Sequence, residues 1–163
     1  MLLARVGETE KANELADVLS REYPLDTLTQ NYSLPIVSAA VRLQENDPAG
    51  AIESLRPTVK YEFSIPDTLN SVYPAYLRGL AYLQMGNGAL AVPEFEKVID
   101  HPGIVGRFVI GALARLQLAR ARAMSGDKTL AKKSYEEFLD LWRGADLDLP
   151  IYRKAKIEYT KLE

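Results

Sequence analysis

Apolar residues recur at intervals of three and four along most of this chain, the spacing that lays a single stripe on an α-helix. Ala12, Leu15, Ala16, Val18 and Leu19 form the first run; Pro24 stops it, since its ring cannot continue a helix and restricts Tyr23 before it. Ser33-Leu34-Pro35 reads as a cap with proline in the first turn, opening a helix to Gln44 that carries Ile36, Ala39, Ala40 and Leu43. Asn46-Asp47-Pro48 turns the chain, with Asp47 as cap, into a partner helix that ends near Leu55, before Pro57. Over residues 58–69 the period fails. Tyr61, Phe63 and Ile65 alternate until Pro66-Asp67, which predicts an extended connector.

Helical spacing resumes near Asn70 or Ser71 with Tyr76, Gly79, Leu80, Tyr82 and Leu83. Gly86-Asn87-Gly88 is a tight turn, and its partner helix covers residues 89–99, with Pro93 in the opening turns if the helix starts near Leu90. His101-Pro102-Gly103 reads as a loop. A long helix over about 106–124 carries Leu113, Leu116, Leu118 and Ala119. Asp127 is placed to cap the next, which carries Leu130, Ala131, Tyr135, Phe138, Leu139 and Leu141 to about Trp142. After the loop 144–150, a last helix from Pro150 to the end interleaves Ile151, Ala155, Ile157, Tyr159 and Leu162 with lysines, as an end cap requires.

Three alanines stand at the same point of this pattern: Ala51, Ala91 and Ala131 are 40 residues apart, opening the similar stretches Ala-Ile-Glu-Ser-Leu55, Ala-Val-Pro-Glu-Phe95 and Ala-Lys-Lys-Ser-Tyr135. A fixed period of this size marks stacked helix pairs, none of which can bury its apolar face alone. The expected class is all-α: an α-solenoid of antiparallel helix pairs with a C-terminal capping helix. The expected organisation is a single domain over 1–163, with a half repeat at 8–23, repeats at 33–57, 70–100 and 106–143, and the cap at 150–163.

The middle unit, Gly79, Tyr82, Gly86, Ala91 and Phe95, resembles the tetratricopeptide repeat. The third gives Ala119, Arg122, Gly126, Ala131 and Tyr135, and the first Ala39, Arg42, Asn46, Ala51 and Leu55. Small residues fall where two helices cross, so the backbones can approach closely; the larger ones fill the space between crossings. The usual period is about 34 residues, so helices or links are longer here. Arg42 and Arg122 replace the usual tyrosine and Arg115 stands where tryptophan is common, with stems expected on apolar surface and guanidinium groups at its edge. The stretch Ser125-Gly-Asp-Lys with Ala131-Lys-Lys-Ser-Tyr135 through Leu141-Trp142, Asp146-Leu-Asp-Leu-Pro150 and Ala155-Lys-Ile-Glu-Tyr159 is also similar to the C-terminal tetratricopeptide region of a group of bacterial proteins headed by a serine/threonine kinase or a winged-helix regulator domain. Tyr23-Pro24-Leu25-Asp26-Thr27 and Asp100-His101-Pro102-Gly103-Ile104-Val105 share that likeness. It implies, as the alternative reading, a regulatory or sensory C-terminal region of a bacterial serine/threonine kinase whose catalytic domain lies outside this chain.

Composition narrows the chemistry. Of 163 residues 47% are apolar, which supports a continuous core. A net charge of −2 argues against a dedicated nucleic-acid binder, and the absence of cysteine removes disulfides and thiolate metal sites. No apolar run approaches the roughly 20 residues that span a bilayer, and the start lacks the features of a signal peptide. The compartment stays undetermined; the resemblance implies a cytoplasmic or extracytoplasmic part of a bacterial protein.

The chain carries no glycine-rich phosphate loop, strand lysine or paired catalytic aspartates, so it is not expected to be an enzyme. Gly86-Asn87-Gly88 lacks the spacing and lysine of a phosphate loop. His101 stands alone, and reads as a helix-end histidine at the negative pole of the preceding helix. Asp146 and Asp148 lack the ligand ladder of a calcium loop. Arg115, Arg120 and Arg122 are the densest basic cluster, but helix winding takes Arg120 off the face the other two share. No cofactor and no metal is expected.

The remaining candidate is a concave face, which in this repeat class is lined by the first helix of each pair. Register places Ile36 and Leu43 there from the first unit, Tyr73, Tyr76, Leu80 and Leu83 from the second, and Leu113, Leu116, Arg120 and Met124 from the third. The surface is mostly apolar, suited to a protein or peptide segment or to a second copy of the chain. Some tetratricopeptide domains hold a terminal carboxylate with lysines and asparagines at set positions; here Ile36, Tyr76, Leu116, Ala40, Leu80 and Arg120 stand there, against such a clamp. The alternative is that the 58–69 connector or the last helix fills the face.

Overall fold

The positions that recur every 40 residues are where the helices touch. In the computed structural model, which describes residues 1–63, 69–106, 108–146 and 148–162, Ala51, Ala91 and Ala131 have no exposed surface. Four residues on, Leu55, Phe95 and Tyr135 are buried at each crossing. Among the described residues there are ten α-helices and no strand. They are α1 (Leu2–Arg5), α2 (Thr9–Glu22), α3 (Leu34–Gln44), α4 (Pro48–Ser54), α5 (Tyr73–Gln84), α6 (Gly88–Ile99), α7 (Pro102–Val105), α8 (Ile110–Met124), α9 (Lys128–Leu141) and α10 (Pro150–Thr160).

The pairs α3/α4, α5/α6 and α8/α9 pack internally, and the second helix of each pair packs on the first helix of the next: α2 on α3, α4 on α5, α6 on α8, α9 on α10. That is an all-α, tetratricopeptide-like helical repeat. One buried cluster runs from Ala4 to Ala121, and a second joins Leu116, Tyr135 and Phe138 to Ala155 of α10.

The link inside each pair is built alike three times. Asn46, Gly86 and Gly126 take positive φ (59°, 71° and 87°), the conformation that ends a helix. The next residue caps the partner helix: Asp47 accepts from the Gly50 amide at 2.9 Å, Asn87 from Leu90 at 3.1 Å and Asp127 from Leu130 at 2.9 Å. Glycine has a second use at Gly88, where an added Cβ would lie 2.4 Å from the Ala121 carbonyl oxygen.

Several expected boundaries are corrected. Ser33 does not cap a helix. It lies in helical conformation (φ −68°, ψ −49°) without a capping hydrogen bond, and the helical path begins at Thr27. Asp26 is the cap, its carboxylate accepting from the Thr29 amide at 2.6 Å. The wider π-turn Thr29–Ser33 comes just before Pro35, whose ring cannot donate to the carbonyl of Asn31. The connector is not extended where it is described: Arg56–Tyr61 is a 3₁₀ helix that continues α4, and Leu69–Val72 is a 3₁₀ turn leading into α5. Ile65, Pro66 and Asp67 of the expected alternation lie outside the described residues, as does Leu147 of the acidic loop. Residues 102–105 form a short helix rather than a loop, and the long helix starts at Ile110, not near Gly106. Because α6 begins at Gly88, Pro93 lies inside it, on an exposed position where the carbonyl it leaves unpaired can meet water.

Candidate binding groove

The first helices α3, α5 and α8 lie side by side, with α1 at one end of the stack and α10 at the other, and together they line a concavity of about 450 Å³. Its floor is Ala40, Leu43, Leu77, Leu80, Leu83 and Met124. The sequence pattern accounts for that composition. Ala40, Leu80 and Arg120 share one register position, Leu43 and Leu83 a second, and Gln44, Gln84 and Met124 a third.

The ten residues expected to form the groove divide. Leu43, Leu80, Leu83, Arg120 and Met124 line it. Ile36, Tyr76 and Leu116 do not: they share a register position one helical turn earlier, and their side chains are buried in the core, at most 2% exposed. Tyr73 is likewise buried, and Leu113 packs against the core without lining the concavity. Tyr76 meets Phe95 edge-on, ring centroids 5.7 Å apart, so it spaces α5 from α6 rather than facing a ligand. Burial pushes its phenol above the ordinary tyrosine range.

Polar groups rim the floor, and three come from helices at the ends of the chain. Arg5 of α1 lies over the Tyr76 ring, 5.6 Å from its centroid. Lys154 and Glu158 come from α10. Arg120 donates Nε and Nη2 to the two oxygens of Glu158, at 2.8 and 3.1 Å, and Tyr135 donates its hydroxyl to Glu158 at 3.0 Å. Burial and the Glu158 charge push the Tyr135 phenol up. Gln84 donates its amide to the Leu43 carbonyl at 3.0 Å, and Gln44, 40 residues earlier, points its amide at the Arg5 carbonyl at 3.5 Å. Arg5, Lys154 and Glu158 escaped the sequence reading because they belong to no full repeat; the packing surface of the final helix was the one available signal. That helix borders the groove without filling it, and the described part of the connector does not line it.

The other sequence candidates stand apart. His101 offers Nδ1 to the Lys97 carbonyl at 2.7 Å and stacks on Phe63 with centroids 4.2 Å apart. The three arginines have separate partners. Arg115 donates to the Gly111 carbonyl, Arg120 to Glu158, and Arg122 to Ser134 and Glu96. Asp146 accepts from the Asp148 amide in a local turn. Among the described residues no group of three or more His, Cys, Asp or Glu could hold a metal ion, and no helix is long and apolar enough to cross a membrane.

Comparison with known proteins fits this architecture. A tetratricopeptide-repeat family profile matches residues 113–144. That stretch covers most of α8 and α9. The chain is also similar to the tetratricopeptide repeat and J domain-containing co-chaperone DNJ1 of Fusarium oxysporum f. sp. lycopersici, 32% identical over 103 residues. The match takes in 63% of this chain and 18% of the length of that relative. No solved structure matches the chain significantly. Neither match supports the expected link to bacterial kinase or winged-helix proteins. Tetratricopeptide domains generally mediate protein–protein interaction.

Proposed function

We propose that this chain is a non-catalytic recognition module that receives a segment of a partner protein in the concavity of its first helices. One observation carries the reading: an apolar floor drawn from three successive units, left open by the described residues around it. Leu80, Leu83 and Met124 supply its accessible apolar surface, with Ala40, Leu43 and Leu77 buried beneath them; apolar surface rimmed by polar groups suits a protein ligand. The likeness to a co-chaperone supports a partner that is itself a polypeptide, and extends the proposal to a role beside a protein-folding machine.

The test is site-specific photocrosslinking. A benzophenone amino acid at Leu80 or Met124 should capture a partner that the same group at Lys133, an exposed site on α9, does not. The captured segment, made synthetically, should bind the purified chain and lose that binding with Leu83→Glu. Equal crosslinking from Lys133, or binding unchanged by Leu83→Glu, would reject the groove. Tyr76 is no suitable probe, because a charge there would be buried in the core.

A further inference from the structure

The charges around the groove do not cancel. Among the described residues that line it, Arg5, Arg120 and Lys154 stand against a single anion, Glu158, and that anion is taken by Arg120. Among the described residues no acidic side chain forms an ion pair with Arg5 or Lys154. Arg5 has an aromatic face under it instead. The surplus is positive on a chain whose net charge is −2, so it is local and opposite in sign to the protein as a whole.

Resting on the groove reading above, we propose that the occupant is an internal segment of a partner protein that combines apolar side chains with side-chain carboxylates, the carboxylates meeting Arg5 and Lys154. An apolar floor lowers the local dielectric, so a carboxylate placed there feels both cations more than it would on an open surface. A basic segment would set like charges together, which makes the pair a device for partner choice more than for raw affinity. A terminal carboxylate is the poorer fit. It calls for several convergent donors, and the nearby Gln84 amide is committed to the Leu43 carbonyl while the Gln44 amide points at that of Arg5. Arg5 and Lys154 come from different helices, α1 and α10, and both line the one concavity, Arg5 reaching over Tyr76 of α5.

Random dodecapeptides displayed through their C-termini, and so without a free terminal carboxylate, can be selected on the whole chain. Apolar sequences enriched in Asp and Glu over Lys and Arg are expected. Made as free peptides, they should lose about tenfold in affinity with Lys154→Glu and more with Arg5→Glu added, and weaken as salt rises. Amidating their C-termini should change nothing. Binders that are lost with Leu83→Glu but show no acidic excess, that ignore both charge reversals, or that need a free C-terminus would overturn the charge proposal and leave the groove standing. Binders indifferent to Leu83→Glu, or no binders at all, would overturn both. Lys154 is exposed, so its reversal tests the idea even if the Arg5 variant folds poorly.

Discussion

Arg78 on α5 and Glu94 on α6 face each other across the middle helix pair, Arg78 donating Nε and Nη2 to one Glu94 oxygen at 3.1 and 2.8 Å. The same two register positions in the preceding pair are Ser38 and Ser54, whose hydroxyls lie 3.1 Å apart. A small polar contact in one unit is an ion pair in the next. The larger pair has a third member, because Arg78 also donates Nη1 and Nη2 to the two oxygens of Glu62, which ties the 3₁₀ connector to the middle unit. Burial works against the guanidinium charge, and Glu62 and Glu94 overcome it, so Arg78 holds its proton more tightly than a free arginine.

Removing Arg78 would leave the Glu62 carboxylate buried without its counter-charge, and Glu94 with only the half-exposed Lys97, whose ammonium donates to its other oxygen at 2.7 Å. Arg78→Ala is expected to destabilise the chain by about 3–5 kcal/mol, the range for breaking one side of a buried ion pair. Glu62→Gln should cost less, since Arg78 keeps Glu94. Urea unfolding at neutral pH checks the order; an Arg78→Ala midpoint equal to that of Glu62→Gln would show the three groups are not coupled.

That triad marks the limit of what the sequence makes legible. Helix crossings demand small residues at fixed intervals, so Ala51, Ala91 and Ala131 reveal the stack, and the caps at Asp47 and Asp127 follow from turn chemistry. Nothing periodic announces Glu62, which reaches Arg78 from a connector without repeat register. The groove is legible to within one helical turn: Leu80 and Leu83 face it, while Tyr76, four residues before Leu80, is turned beneath. Apolar spacing alone cannot separate the two rows, because both are apolar and only the stacking of neighbouring units decides which is covered. The π-turn before Pro35 is hidden for a related reason, since Ser-Leu-Pro reads as a helix start until Asp26 is seen to have capped it already.

Close approach gives a graded set of variants. At Gly79 an added Cβ would lie 2.6 Å from the buried Phe95 ring, and at Gly88 it would lie 2.4 Å from the Ala121 carbonyl oxygen. Both sites are helical, where alanine gains about 1 kcal/mol over glycine in propensity. The clash should outweigh that gain, more so at Gly88, because main chain cannot swing aside as a side chain can. Ala91→Leu should cost about 1–3 kcal/mol by overpacking. Thermal unfolding by circular dichroism checks all three, and an unchanged or raised midpoint for Gly88→Ala would contradict the contact.

Acid should loosen two helix starts. The Asp26 carboxyl is held below its ordinary range by hydrogen bonding to Thr29, and Asp47 by the Gly50 amide and by Arg42. A depressed folded-state value means the stabilisation is complete above the unfolded value of about 3.9 and is lost as pH falls through the folded one. Asparagine caps a helix about as well and does not titrate there. The double variant Asp26→Asn, Asp47→Asn should therefore lose less stability than the parent between pH 5 and pH 2, taken as rough limits. Urea midpoints across that span give the comparison; parallel curves would mean the caps add nothing to the acid response.

Glu158 is the polar tie of the last helix to the groove side of the third unit. Glu158 takes two hydrogen bonds from Arg120 and one from Tyr135, so one carboxylate joins α10 to both helices of the third unit. Around it α10 buries Tyr152 and Ala155, packs Ile151, Tyr159 and Leu162 partly buried against the second core cluster, and donates the Tyr159 hydroxyl to Glu136 at 2.8 Å. Arg120 and Glu158 are each about a quarter exposed (24% and 23%), so water screens the pair and its share of global stability should be modest, about 1 kcal/mol. Local order should respond more. Glu158→Ala is expected to speed amide hydrogen exchange across α10 while the amides of α5 and α6 keep their protection, because an end helix can open without the rest. Tyr135→Phe should give a smaller change in the same direction. If Glu158→Ala instead leaves α10 protected, its apolar contacts suffice; if it speeds exchange throughout α5 and α6, the cap is part of the core rather than a separable end. Since Lys154 of the same helix borders the groove, the first outcome makes the groove wall rigid, and the expected one makes it a wall that breathes.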